Sequence, residues 1–432
     1  MRNGLFLIIL LILLGQLCFA QQNIPIIKAT SKKIAIKDGN QPITKYWDYL
    51  STIIKPVVYN VSKTNEKRKL TFYTDIDSIS FDICPHKKYD LKVLLNGKDT
   101  CFAQISTEIP SYYKDCGNCI ITNDTIPFIL GNDYYIHIKG KVNNSEILDF
   151  IFDTGASCVL LSERGLKKAK IKLDGFTDNL GSSGFSTEQT SSSNHLQLSA
   201  IQWKNLPLLY IDYKGSLDAD GVIGFNVFED KVVEIDYDKH ILIVHSQLPL
   251  NISGFTASKM QHNINGSFIQ ATLNNGEKDC SGWFLFDTGG GVTIIVGGDF
   301  SMANKLYGSM KKLGNSEIRG TGTNILNGEI DLLPQLKISG YMIPEVPIAL
   351  QSSEVSFLGN AGILGNSVLE RFNTIIDYPN ATIYLKPNSL TNKTFNVKEN
   401  YRFLKFVIPA LAFLIIGLFI YRKIKHNRQV TT

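Results

Sequence analysis

The triplet Asp-Thr-Gly occurs twice in this chain, each time at the end of a hydrophobic run. The copies are Phe150-Ile151-Phe152-Asp153-Thr154-Gly155 and Trp283-Phe284-Leu285-Phe286-Asp287-Thr288-Gly289. Each is followed by a second shared signature. The first leads to Gly221-Val222-Ile223-Gly224 and then Ile235-Asp236-Tyr237, the second to Gly362-Ile363-Leu364-Gly365 and then Ile376-Asp377-Tyr378. Counted from Gly224 and Gly365, the residues Val, Glu, Ile, Asp and Tyr fall at offsets of 3, 5, 11, 12 and 13 in both. The distance from Asp to that Gly is 71 residues in one half (224 − 153) and 78 in the other (365 − 287). Self-similarity on this scale predicts a duplicated lobe. The plainer alternative is a tandem of two β-rich modules with no catalysis.

Two carboxylates delivered by similar halves carry a specific chemistry. Held close together they cannot both ionise, so they share a proton. The charged one can deprotonate a water while the neutral one protonates a substrate carbonyl. The order of apolar strand, Asp-Thr-Gly, glycine-containing hairpin and apolar-apolar-Gly resembles the retropepsin-like and pepsin-like aspartic proteases over residues 126 to 388. Only 134 residues separate the two Asp residues (287 − 153), which is similar to two fused retropepsin-like lobes of a bacterial envelope aspartyl protease. The resemblance implies a two-lobed, double β-barrel fold with Asp153 and Asp287 catalytic. It implies that Thr154 and Thr288 cross-link the two loops, and that Gly155 and Gly289 let the backbone turn beside the carboxylates. Gly224 and Gly365 are expected behind those loops. No metal and no cofactor are implied.

The second lobe departs from the family pattern. Ala156-Ser157 fits it, but Gly290-Gly291 stands where a small residue and then Ser, Thr or Asp is usual. That loop loses side-chain hydrogen bonds that would stiffen it. Neither Ala156 nor Gly290 offers a hydroxyl to the ionised dyad, which predicts raised apparent pKa values and activity from mildly acidic to near-neutral pH. Glycine-rich hairpins after each triplet are the flap candidates: Gly184 and Phe185 in the first lobe, Gly320, Thr321 and Gly322 in the second. Ordinary surface turns would look the same.

The ends of the chain point to a membrane. Arg2, the apolar stretch Leu5 to Leu14 and the small residue Ala20 read as a signal peptide over 1–20, with an uncleaved anchor or a lipidated Cys18 as alternatives. Residues 403–421 are long and apolar enough to span a bilayer, and a basic tail follows over 422–432. Together these predict a single-pass membrane protein with its body outside the cytoplasm, periplasmic or extracellular. Net charge is only +5, and no Arg/Lys stripe is interleaved with aromatics, so nucleic acid is not an expected partner. The expected partner is a peptide or protein substrate. A duplicated chain can build its cleft alone, so the catalytic unit is expected to be monomeric.

Six cysteines follow the predicted signal: Cys84, Cys101, Cys116, Cys119, Cys158 and Cys280. They permit up to three disulfides. Cys116-Gly117-Asn118-Cys119 reads as a local disulfide, a redox pair or half a metal site, and zinc is not supported, since no second such pair exists. Residues 21–125 carry no catalytic motif. Ile79 to Ile83 alternates like a strand, and Leu91–Leu95, Asn96-Gly97 and Cys101–Ile105 read as a hairpin. A small β-sandwich serving as accessory or docking domain is expected, with a basic prosegment as the alternative. The full plan is mainly β: accessory domain 21–125, lobes 126–250 and 251–390, linker 391–402 and the span. It describes a membrane-anchored extracytoplasmic aspartic endopeptidase. A catalytically inactive, protease-derived binding or structural protein of the envelope is the runner-up, and a membrane-tethered redox protein a third reading.

Overall fold

The computed structural model describes residues 24–39, 44–52, 55–61, 67–85, 87–108, 123–181, 184–214, 217–263, 266–319, 325–352 and 360–395. The predicted signal peptide, the predicted span 403–421, Cys116, Cys119, Gly320, Thr321 and Gly322 lie outside the described residues. Among the described residues no helix is long and apolar enough to cross a membrane. The chain divides into two compact units between Ile109 and Pro110. This moves the expected boundary at 125/126, which would cut the strand Asn123–Leu130. That strand pairs with Ile136–Val142 and with Ile241–His245, so its hydrogen bonds place it in the second unit.

The first unit is two four-stranded sheets over one core. In one, Lys88–Leu95 pairs antiparallel with Asp99–Ser106, and Ile26–Ala29 and Val57–Asn60 add parallel edges. Asn96 and Gly97 in the connecting turn take φ of 52° and 68°, the left-handed region that Asn and Gly tolerate best. The other runs Thr44–Tyr49, Lys33–Asp38, Arg68–Tyr73 and Ser78–Ile83, all antiparallel. Ile27, Val93 and Ala103 from the first sheet share a core with Ile34, Leu70, Phe72 and Ile83 from the second. This is the arrangement that alternating apolar residues dictate when each sheet has one face to bury.

The second unit contains two β-barrel lobes and a sheet they share. In the first lobe the strand Leu148–Asp153 runs parallel to Gly221–Gly224, which pairs antiparallel with Val159–Leu161. The long strand Gly184–Leu198 returns to Ile136–Val142 and closes the barrel. The second lobe repeats each step: Asp279–Asp287 lies parallel to Gly362–Gly365, Ile294–Val296 pairs antiparallel with it, and Ile325–Ile338 returns to Gly266–Asn274. The catalytic-loop strands are apolar nearly throughout because both faces are buried. Phe150 and Phe152 enter the main core, while Ile151 packs with Leu160 and Val222 on the other face.

The shared sheet has six strands, three from each side of residue 250. Its order is Asn123–Leu130, Ile241–His245, Val232–Asp236, Phe372–Asp377, Thr382–Pro387 and Thr256–Asn263. Across its centre Glu234 faces Ile375. These two positions differ by 141 residues (375 − 234), the same interval as Gly224 to Gly365 (365 − 224) and Ile235 to Ile376 (376 − 235). A residue that pairs with its own repeat equivalent marks the pseudo-two-fold axis.

Candidate active site

Each Asp-Thr-Gly turn is held from behind by its own lobe. In the first lobe, Gly224 N–H donates to the Cys158 carbonyl at 3.0 Å and Phe225 N–H to that of Ala156 at 2.9 Å. In the second, Gly365 N–H donates to Thr293 at 2.8 Å and Asn366 N–H to Gly290 at 2.7 Å. A Cβ at 224 would come within 2.4 Å of the Cys158 carbonyl, and one at 365 within 2.3 Å of that of Val292. Only glycine lets the apolar-apolar-Gly strand approach the loop so closely. Gly224 and Gly365 therefore sit where the sequence placed them.

The two loops are tied to each other by four reciprocal hydrogen bonds. Thr154 Oγ1 donates to the Phe286 carbonyl at 2.6 Å and accepts from Thr288 N–H at 3.0 Å. Thr288 Oγ1 donates to the Phe152 carbonyl at 2.8 Å and accepts from Thr154 N–H at 3.1 Å. Both threonines are fully buried, so every donor and acceptor they bring is satisfied within the protein.

This cross-link brings Asp153 and Asp287 face to face, within hydrogen-bonding reach of one another. A Cβ at Gly155 would lie 2.7 Å from the Asp287 carboxyl carbon, and one at Gly289 2.1 Å from that of Asp153. Each glycine thus makes room for the opposite carboxyl. Burial raises the pKa of both. Asp287 goes well above the ordinary carboxyl value, through burial and then the negative charge of Asp153. Its Oδ1 is buried with no hydrogen-bond partner. For Asp153 burial is opposed by the bond to Asp287 and by the N–H groups of Gly155, at 2.7 Å, and Ala156, at 3.0 Å. The ionised form is better supported on Asp153 than on Asp287.

Tyr135 and Tyr213 flank the dyad, and sequence reasoning missed both. Burial first, and then the charges of nearby carboxylates including Asp153, raises each phenol above its usual range. Nothing local in the sequence marks them, because the barrel brings them to the site. Cys158 packs with Tyr135, Ala156 and Tyr213 beside the first loop. Burial and then Asp153 push its thiol up to about 12, so it stays an inert thiol. Cys84, Cys101, Cys158 and Cys280 are all free, which leaves Cys116 and Cys119, outside the described residues, as the remaining pair.

Of the flap candidates, Gly184 and Phe185 lie in a hairpin where Leu180 pairs with Phe185 and Gly181 with Gly184. In the second lobe Lys311–Arg319 and Ile325–Ile338 form the equivalent hairpin, closing from Arg319 and Ile325 around Gly320, Thr321 and Gly322. Both hairpins follow their Asp-Thr-Gly turn at equivalent places in the barrel.

Residues 138–227 match the family described as Aspartyl protease. The match spans the first lobe from the strand before Asp153 through Gly224. Among solved structures the chain is similar to the aspartic proteinase from Irpex lacteus, with 14% identity, 64% of this chain and 100% of that chain covered, and a TM-score of 0.45. No curated protein matches the chain in sequence.

Proposed function

We propose that this chain, whose fold is of the aspartic-protease type, is an aspartic endopeptidase using Asp153 and Asp287 as its dyad. One observation carries the reading: the Thr154–Thr288 cross-link holds two buried carboxyls together so that they share a proton. Asp153 is the ionised member and takes a proton from water as the water oxygen attacks the scissile carbonyl carbon. Asp287 is the protonated member and gives its proton to the carbonyl oxygen. Collapse of the tetrahedral diol breaks the C–N bond, with a proton passing to the leaving amine and the shared proton restored to the pair. No change of redox state is involved. The Gly184–Phe185 and Gly320–Gly322 hairpin tips are the proposed flaps.

The site of action we propose is extracytoplasmic, with the chain tethered to a bilayer through residues 403–421 and a peptide or protein as substrate. The support here is the sequence: an apolar N-terminal leader and an apolar stretch with a basic tail at the other end. Monomeric catalysis is proposed because one chain supplies both carboxyls.

The test is cleavage of a mixed peptide library by the full-length chain in detergent, from about pH 4 to 8, beside Asp153→Asn and Asp287→Asn. Loss of at least about a thousandfold in kcat/KM in both variants is expected. A folded wild type that cleaves nothing would replace this reading with a peptide-binding protein of the envelope.

A further inference from the structure

The absence of a side chain at Gly291 has a steric cause. A Cβ there would meet the Asp133 carbonyl oxygen at 2.5 Å and the Tyr135 ring at 3.2 Å. A turn from the first lobe, Gly131 to Tyr135, therefore occupies the space where a side chain of the second catalytic loop would stand. The hydroxyl oxygen of Tyr135 takes a hydrogen bond from the Gly291 N–H.

That turn is firmly fixed. Gly131 N–H donates to the Tyr135 carbonyl at 2.9 Å, and Tyr134 N–H to that of Gly131 at 3.0 Å. Tyr135 N–H donates to Asp133 Oδ1 at 3.1 Å, and His137, itself 2.9 Å from Asp149, lies 3.3 Å from Asp133 Oδ2. On the far side, Asn366 Nδ2 donates to the Tyr134 carbonyl at 2.6 Å. Asn366 follows Gly365 directly and its own N–H holds Gly290. The first-lobe turn and the second catalytic loop are thus bonded at two separate points.

We propose that Tyr135 is a positioning residue for the second Asp-Thr-Gly loop, its phenol replacing from the other lobe the hydroxyl side chain that position 291 lacks. By engaging the Gly291 N–H it keeps that donor away from the Asp287 carboxyl. A further N–H on Asp287 would favour its ionised form, so the contact preserves the proton on Asp287. The catalytic part of this inference rests on the peptidase reading above; the contact itself does not.

The test compares Tyr135→Phe with wild type as full-length protein in detergent. Hydrogen exchange followed by mass spectrometry on the segment containing Gly291 reads the contact without any need for activity. Exchange about tenfold faster in the variant is expected, since one hydrogen bond holds that amide. On a cleaved peptide, kcat should fall about tenfold with KM within about twofold. The alkaline limb of the pH profile should move to lower pH. Asp133, Asp153, Asp287 and Tyr213, the titratable groups around the ring, all remain in the variant.

Gly291→Ala attacks the same contact from the other side and gives the same exchange result should Tyr135→Phe fail to fold. Unchanged exchange at Gly291 overturns the inference whatever the activity does. Faster exchange with unchanged kcat and pH profile overturns the catalytic role. A wild type that cleaves no peptide, while its Gly291 amide responds to Tyr135→Phe, sinks the peptidase reading and leaves the contact standing.

Discussion

At the scale of single residues, the unequal dyad has consequences for both activity and stability. Asp287 carries the higher pKa because it is buried beside the charge of Asp153. Asp153 is the better solvated by backbone N–H groups. The pH profile of kcat/KM should therefore rise with ionisation of the first carboxyl and fall with loss of the second proton, peaking between mildly acidic and near-neutral pH. An optimum below about pH 3 would contradict the raised values. The sign for stability follows from linkage. A carboxyl whose folded pKa lies above its unfolded one contributes stability at low pH and loses it as pH rises through the folded value. Asp287→Asn removes that penalty, so the variant should unfold at a temperature a few degrees higher than wild type at neutral pH while losing turnover. Thermal unfolding at pH 5 and pH 8 would check it, the gain being larger at pH 8.

Among the elements, the strand Ile325–Ile338 forms one arm of the second proposed flap and carries an acid in an apolar setting. Asp331 is 1% exposed, its Oδ1 has no hydrogen-bond partner, and burial followed by the charge of Glu329 raises it to about 6. Lys312 acts in the opposite sense, but it is engaged by Glu329 at 2.7 Å. By the same sign argument, the stabilising effect of its proton is complete below the ordinary value of 3.8 and disappears as pH rises through about 6. Asp331→Asn should raise stability by about 1 kcal/mol at pH 7.5 and leave it unchanged near pH 4, as measured by urea unfolding. The helix Glu163–Ala169 shows the reverse case. Asp220 beneath it is as buried, yet Arg164 at 2.7 Å, Lys168 at 2.9 Å and the Asp149 N–H at 2.9 Å hold its pKa below the ordinary value against burial. Two buried aspartates on comparable scaffolds are thus tuned in opposite directions by whether cations reach them.

At the scale of the whole molecule, residues 24–108 enclose a core of their own, with side chains from both sheets. Residues 21–109 expressed alone should unfold cooperatively in urea; a non-cooperative transition would show that this unit depends on the rest of the chain. Much of the second unit was legible in advance. The repeat interval of 141 residues became the pairing of Glu234 with Ile375, and the two Asp-Thr-Gly triplets became one cross-linked pair. Duplicated backbone constraints survive in sequence because each copy must make the same turn. Tyr135 and Asp331 were not legible, since a phenol becomes a support and an acid becomes buried only through strands distant in sequence. Gly291, which reads as a lost side chain, turned out to be an occupied space. The boundary at 126 was misplaced because the strand from Asn123 owes its position to partners more than a hundred residues away.

That occupied space matters for the direction in which a substrate can lie. A cleft with true two-fold symmetry presents the same surface to a peptide and to its reverse, whereas an amide bond has distinct carbonyl and amine ends. Near the axis this chain is uneven: a first-lobe turn leans on one catalytic loop, and the two carboxyls differ in proton affinity before anything binds. The resting enzyme therefore already has a donor side and an acceptor side. Chain polarity is read from a built-in handedness of charge, and the substrate does not have to create it.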